Sequence, residues 1–165
     1  HNMMKRISLA ATLSVLVAVT LSACSGGGSK ACLQGGQTNA QAKLDGMKVE
    51  MYATADVESG VVMVDYHPVW GTVMNLNLDI SKVECDHHLF FSIIGPAVGQ
   101  FSVGSVTEGT FHGVYDGDYG TDSFTGESTL SITAYDETRI SGTFKVLLED
   151  GTTFSSGSFT NVPIR

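Results

Sequence analysis

The chain has 165 residues, 42% of them hydrophobic and 16% charged, with 19 glycines against three prolines. That length suits one domain and leaves little room for two, and the apolar content excludes a disordered polymer. A formal charge of −8 excludes non-specific nucleic-acid binding through a basic surface.

The N-terminus reads as an address. Lys5 and Arg6 precede an uncharged apolar run, Ile7 to Leu21, which ends at Ser22-Ala23-Cys24. A basic start, a short apolar core and a small-residue site are the elements of a secretory signal. The alternative is an uncleaved membrane helix, which needs about 20 apolar residues. Here glycine and serine take over directly after Cys24.

Leu21-Ser22-Ala23-Cys24 resembles the lipobox of bacterial lipoproteins. The resemblance implies that residues 1–23 are cleaved as a signal peptide and that Cys24 receives lipid. Two or three acyl chains suffice for stable anchoring where one does not. Cleavage would take two of the nine basic residues and none of the 17 acidic ones, leaving 142 residues at formal charge −10. An anionic membrane would repel such a molecule, so lipid rather than basic contacts would hold it. Ser25 stands where an aspartate commonly retains these lipoproteins in the inner membrane. By that analogy the protein belongs to the outer membrane, facing the periplasm.

Residues 24–44 form the next unit, a tether. Ser25-Gly26-Gly27-Gly28-Ser29 cannot build a core. Ala31 to Leu44 could hold a helical turn near Ala40. An oxidising compartment suggests that Cys32 and Cys85 form one disulfide, the alternative being two free thiols. The bridge would close a loop of about 50 residues and stabilise the fold by about 4 kcal/mol in the chain-entropy model.

From residue 45 to 165 the pattern is β. Met47 to Ala53 alternates, Val61 to Tyr66 is β-branched, and Thr72 to Ile80 sets Met74, Leu76, Leu78 and Ile80 on one side. Leu89 to Ile94 is continuous enough to be buried on both faces. Gln100 to Val103 and Thr110 to Tyr115 are shorter candidates. Ser123 to Ala134, Arg139 to Leu148 and Thr152 to Val162 complete the set, joined by turns at Tyr135–Thr138 and Glu149–Gly151. Gly142 marks a close approach, and the alternation slips at Ser156-Gly157, predicting a bulge. About eight strands and no long helix predict an antiparallel β-sandwich or a small closed β-barrel.

The stretch Ile140-Ser141-Gly142-Thr143-Phe144, followed by Gly157-Ser158-Phe159-Thr160-Asn161-Val162-Pro163, resembles an uncharacterised family of secreted all-β bacterial lipoproteins. These carry an I-S-G-T-F … G-x-F-x-N hairpin at the end of the domain. Leu130 to Asp136 fits the strand that precedes it. The resemblance implies a lipid-anchored β domain and brings no catalytic or binding residues.

Chemistry-bearing groups are few. The G-x-S-x-G, H-E-x-x-H, C-x-x-C and Gly-rich phosphate motifs are absent, so no enzyme and no cofactor is expected. Asp65 and His67, two apart, would share a strand face; Glu84, Asp86 and His88 would share another, with His87 turned away and His112 and Asp116 as further donors. Zinc needs three or four of these to converge, and a polar bend is the simpler reading. Asp116 to Asp122 has the look of a calcium loop, but Gly120 stands at the fifth position, where such a loop wants a donor, and Gly and Asp are also what an exposed hairpin turn uses. Tyr66, His67 and Trp70 surround Pro68 and form a possible ligand-binding group, since exposed aromatics can stack on sugar rings; a lone tryptophan is more often core.

The expectation is a membrane-tethered cell-envelope lipoprotein whose β domain is an interaction or structural module for an envelope protein. The alternative is a ligand-binding domain, for a glycan or for a small apolar molecule held in a barrel mouth.

Overall fold

A computed structural model describes residues 38–80, 87–117 and 120–165. Its described residues form ten strands and no helix: β1 Ala40–Leu44, β2 Met47–Val64, β3 His67–Ile80, β4 His88–Ile94, β5 Gly99–Val103, β6 Thr110–Gly117, β7 Gly120–Ser123, β8 Thr129–Tyr135, β9 Arg139–Leu147 and β10 Thr153–Pro163. They follow one another around a sheet in the order β4-β3-β2-β1-β10-β9-β8-β5-β6-β7. The β4–β6 pairing, His88↔Asp116 through Ile93↔Phe111, joins its ends into a closed nine-strand barrel. β7 lies outside that ring, paired to the second half of β6. Of the two predicted architectures, the barrel is the one adopted.

Alternation dictates the interior. Met51, Ala53, Met74, Leu76, Leu78 and Ile80 from β2 and β3 point inward and are fully or almost fully buried. Phe91 sits at the centre, its ring 5.9 Å from Phe111, 5.0 Å from Phe124 and 5.4 Å from Phe144. These offset and edge-on arrangements suit the aromatic quadrupole. Together with Phe154 and Phe159, the rings belong to one buried hydrophobic core inside the barrel.

Room for the rings comes from missing side chains. A Cβ on Gly142 would lie 2.5 Å from Phe159 Cζ and 2.5 Å from the Ser131 carbonyl oxygen, so this is the close approach that its place in the strand predicted. The expected bulge is present as a register shift between Phe154 and Gly157, with Ser156 at φ 49°.

Three expectations need correction. Ala40–Leu44 is a strand, not a helical turn, held between β2 and β10. The barrel therefore begins upstream of the residue-45 boundary that composition suggested. Just before it, the Asn39 carboxamide donates to the Ala53 carbonyl (2.9 Å) and accepts from the Ala53 N–H (2.6 Å), extending the ladder with a side chain. Second, β2 is one strand of 18 residues where two shorter runs were expected, because Asp56 and Glu58 face solvent without ending the pairing. Third, Asp65 and Tyr66 belong to no strand. Both have positive φ between the paired residues Val64 and His67, the geometry of a two-residue type I′ turn.

Turn chemistry secures the hairpins. At the β8–β9 turn Asp136 Oδ1 accepts from Thr138 Oγ1 (2.6 Å), Thr138 N (2.7 Å) and Arg139 N (2.9 Å). The Thr138 hydroxyl foremost, then these two amides, hold the Asp136 carboxyl below the ordinary carboxylate range. Its stabilisation is present above an unfolded value near pH ~3.9 and is lost as pH falls through the lower folded value. Asp136→Ala should therefore lower the melting temperature at neutral pH and flatten its fall below about pH 4. Gly142→Ala should destabilise the full-length protein by about 1–3 kcal/mol in urea titration, through the forced ring and backbone shifts. Gly126→Ala, where a Cβ meets nothing within 4 Å, should cost little.

Candidate functional site

The feature that breaks the regularity of the barrel is the far half of the β2–β3 hairpin. Val73 of β3 is the last residue paired to β4, opposite Ile94, while β2 and β3 stay paired to Val64↔His67. Gly60 and Gly71 face each other across the hairpin with φ of 107° and 142°, a backbone that other residues rarely adopt. Beyond this pair the hairpin doubles back over the outer barrel wall. Register sets Asn75, Ser92 and His112 side by side on β3, β4 and β6. A straight strand would carry His67 about 26 Å beyond Asn75. Instead Asp65 Oδ1, at the turn, lies 3.8 Å from His112 Nε2.

The fold-back buries one hairpin face and leaves the other in water. Val62, Val64 and Val69 close over Val73 and Ile94 as a second small core. This explains why β4 has apolar residues on both faces: Phe91 and Ile93 point into the barrel, and Ile94 points out beneath the hairpin. On the opposite hairpin face Val61, paired with Trp70, and Met63, paired with Pro68, are exposed. Trp70 is 82% exposed and Tyr66, at the turn, 93%. No charged residue occurs in the hairpin between Glu58 and Asp65. The result is an uncharged apolar face on an otherwise acidic molecule, the kind of surface that marks an interaction site.

Of the residues singled out in the sequence, Tyr66, His67 and Trp70 are therefore together in one hairpin, and the lone tryptophan is at the surface. No ring contact joins Tyr66 to Trp70 among the described residues, so the two do not form a stacked shelf. His67 Nδ1 lies 2.7 Å from the Asp65 carbonyl oxygen and braces the turn. Cys24, Cys32 and Cys85 lie outside the described residues, as do Glu84, Asp86, Asp118 and Tyr119.

The metal candidates separate into pairs. His88 Nε2 is 3.9 Å from Asp116 Oδ2, and His112 meets Asp65. His112 and Asp116 are four residues apart on β6, about 13 Å along the strand. No three such groups converge among the described residues. His87 points the other way, buried, and stacks on Tyr115 with ring centroids 6.4 Å apart. Asp116 and Asp122 stand on the paired strands of the β6–β7 hairpin, and Asp122 Oδ2 accepts from the Asp150 amide at 3.1 Å.

Two of the hollows on the surface of the described residues run across or along strands. One, of about 490 Å³, crosses β5, β8, β9 and β10, where Gln100, Ser131, Thr143 and Ser158 line up across the wall. The other, of about 550 Å³, runs along β2 and is lined by Glu58, Ser59, Val61, Val62 and Met63. Sequence reasoning passed over this second one, although Val61-Val62-Met63-Val64 is apolar at every position, more than a one-sided strand requires. No protein-family model, curated protein or solved structure matches this chain.

Adjacent residues test the two hairpin faces. Val69→Ala should cost about 1–3 kcal/mol, whereas Trp70→Ala should change stability by no more than about 0.5 kcal/mol. Trp70 emission, the only tryptophan signal, should lie at the solvent-exposed end of its range and be fully open to a soluble quencher.

Proposed function

We propose that the chain is a lipid-anchored envelope protein, held at the outer membrane through Cys24, whose barrel is a non-enzymatic interaction module. The observation that carries this reading is the fold-back hairpin, which presents Val61, Met63, Tyr66 and Trp70 to solvent. Exposing that much apolar side chain costs solubility, and contact with a partner offsets it. The aromatic interior supports the same reading. Phe91, Phe111, Phe154 and Phe159 are buried in the core, while Val61, Met63, Tyr66 and Trp70 stand in solvent.

The exposure of Trp70 also favours a second reading, in which its indole face stacks on a glycan of the envelope. The two differ in stoichiometry and chemistry. Soluble cell-wall or outer-membrane oligosaccharides would shift Trp70 emission in the second case and leave it unchanged in the first.

Anchoring has its own test. The wild-type protein should sediment with membranes after a high-salt wash, and Cys24→Ser should abolish lipid labelling and release the processed domain. Sedimentation of a salt-washed Cys24→Ser protein identical to wild type would refute the lipid anchor.

A further inference from the structure

The two long edges of the hairpin are not equivalent. Thr72 O accepts from Gly95 N, so the main-chain groups of the even residues of β3 point away from β2. Pro68 occupies one of these outward positions, and a proline without an N–H discourages strand pairing there. On β2 the outward positions are the odd ones. Met51 O accepts from Asn39 N, and Ala55 O accepts from Arg165 N. The same parity turns the N–H and C=O of Ser59, Val61 and Met63 outward. Among the described residues no strand pairs with them. They form the floor of the hollow along β2. Proline, lysine and arginine, the usual guards of an open edge, are absent from Glu58 to Val64.

We propose that this edge pairs with the same edge of a second copy of the chain, making a two-fold β2–β2 ribbon centred on Val61. The register is self-complementary. With Val61 opposite its copy, Ser59 faces Met63 and Glu58 faces Val64 of the other copy, so no like charges meet. Three outward-facing residues on each copy would exchange about six main-chain hydrogen bonds. The paired valines bring Trp70 and Met63 of both copies onto one face, converting two exposed apolar patches into a shared one. Charge argues for this occupant over an acidic or basic peptide, since Ser59 to Val64 carries none. This inference rests on the interaction-module reading and names its partner.

The experiment uses two differently tagged full-length copies co-expressed in one envelope, extracted in mild detergent and captured through one tag. The second tag should be recovered with the wild type. Val61→Pro removes only an outward N–H and leaves the β2–β3 ladder intact, so the lipid anchor and the barrel persist. It should reduce recovery about tenfold or more, because the central pair of the ribbon is lost. Val61→Lys, which places like charges on the axis, should do the same and carries the test if the proline variant fails to fold. Val61→Cys should give a disulfide-linked dimer in intact envelopes, since antiparallel partners about 5.5 Å apart lie within bridging range. Val62→Cys, buried on the other face, should not. Recovery from Val61→Pro and Val61→Lys equal to wild type, no recovery from wild type, or a Val61→Cys adduct with a different protein would each overturn the proposal. Copies carrying Cys24→Ser should still associate, which separates failure of the anchor from failure of the ribbon.

Discussion

Everything in this fold depends on the hydrogen bonds that join β4 to β6. Without them the sheet would be an open ribbon with two bare edges and a one-sided apolar face. With them it becomes a cylinder whose interior alternates with its surface along every strand. The cylinder then needs a filling, and the filling is aromatic. Phe91 touches three other rings, and glycines at 113, 142 and 157 stand where the rings of Phe124, Phe159 and Phe144 come closest to the wall. Large residues face small ones across the core, as efficient packing requires. A barrel built in this way turns its aromatic side chains inward, while hollows and exposed apolar residues mark its outside.

The outside is shaped by one over-long hairpin. β2 and β3 continue past the last residue that β4 can pair, and the glycine pair at 60 and 71 lets them fold over the wall. Folding back hides three valines and protects Ile94, which would otherwise sit on the solvent face of the barrel. The geometry has a consequence: a two-stranded ribbon that buries one face and is apolar on both must expose the other. It also has two edges, of which Pro68 guards one. The surface and the open edge therefore arise from the same device that completes the second core.

Much of this was legible from residue order. Period-two alternation gave most of β3, β8, β9 and β10, a continuous apolar run gave β4, the slip at Ser156-Gly157 gave the bulge, and Gly142 gave the close approach; β7 was hidden in a stretch with the composition of a turn, and the expected run from Ser123 divides between β7 and β8. The apolar run from Leu89 to Ile94, broken only by Ser92, signalled burial on both sides, although not that the cover would be a hairpin. β1 was hidden because its inward residues Ala40 and Ala42 are small, and small residues carry almost no periodic signal. The turn at Asp65-Tyr66 was hidden because a type I′ turn is usually announced by asparagine or glycine. As for the candidate site, the sequence singled out Tyr66, His67 and Trp70 but placed no weight on Val61 and Met63. Whether an apolar residue at a given parity is covered or bare depends on the fold-back, a tertiary event that no local pattern encodes.

Amide hydrogen exchange along β2, followed as a function of protein concentration, tests the account most directly. In a dilute sample the amides of Gly60, Val62 and Val64, which point to β3, should be protected, while those of Ser59, Val61 and Met63 exchange rapidly. Raising the concentration should slow the second set and leave the first unchanged. Rapid exchange of both sets would contradict the extended hairpin, and exchange of the second set that ignores concentration would contradict the open, self-pairing edge.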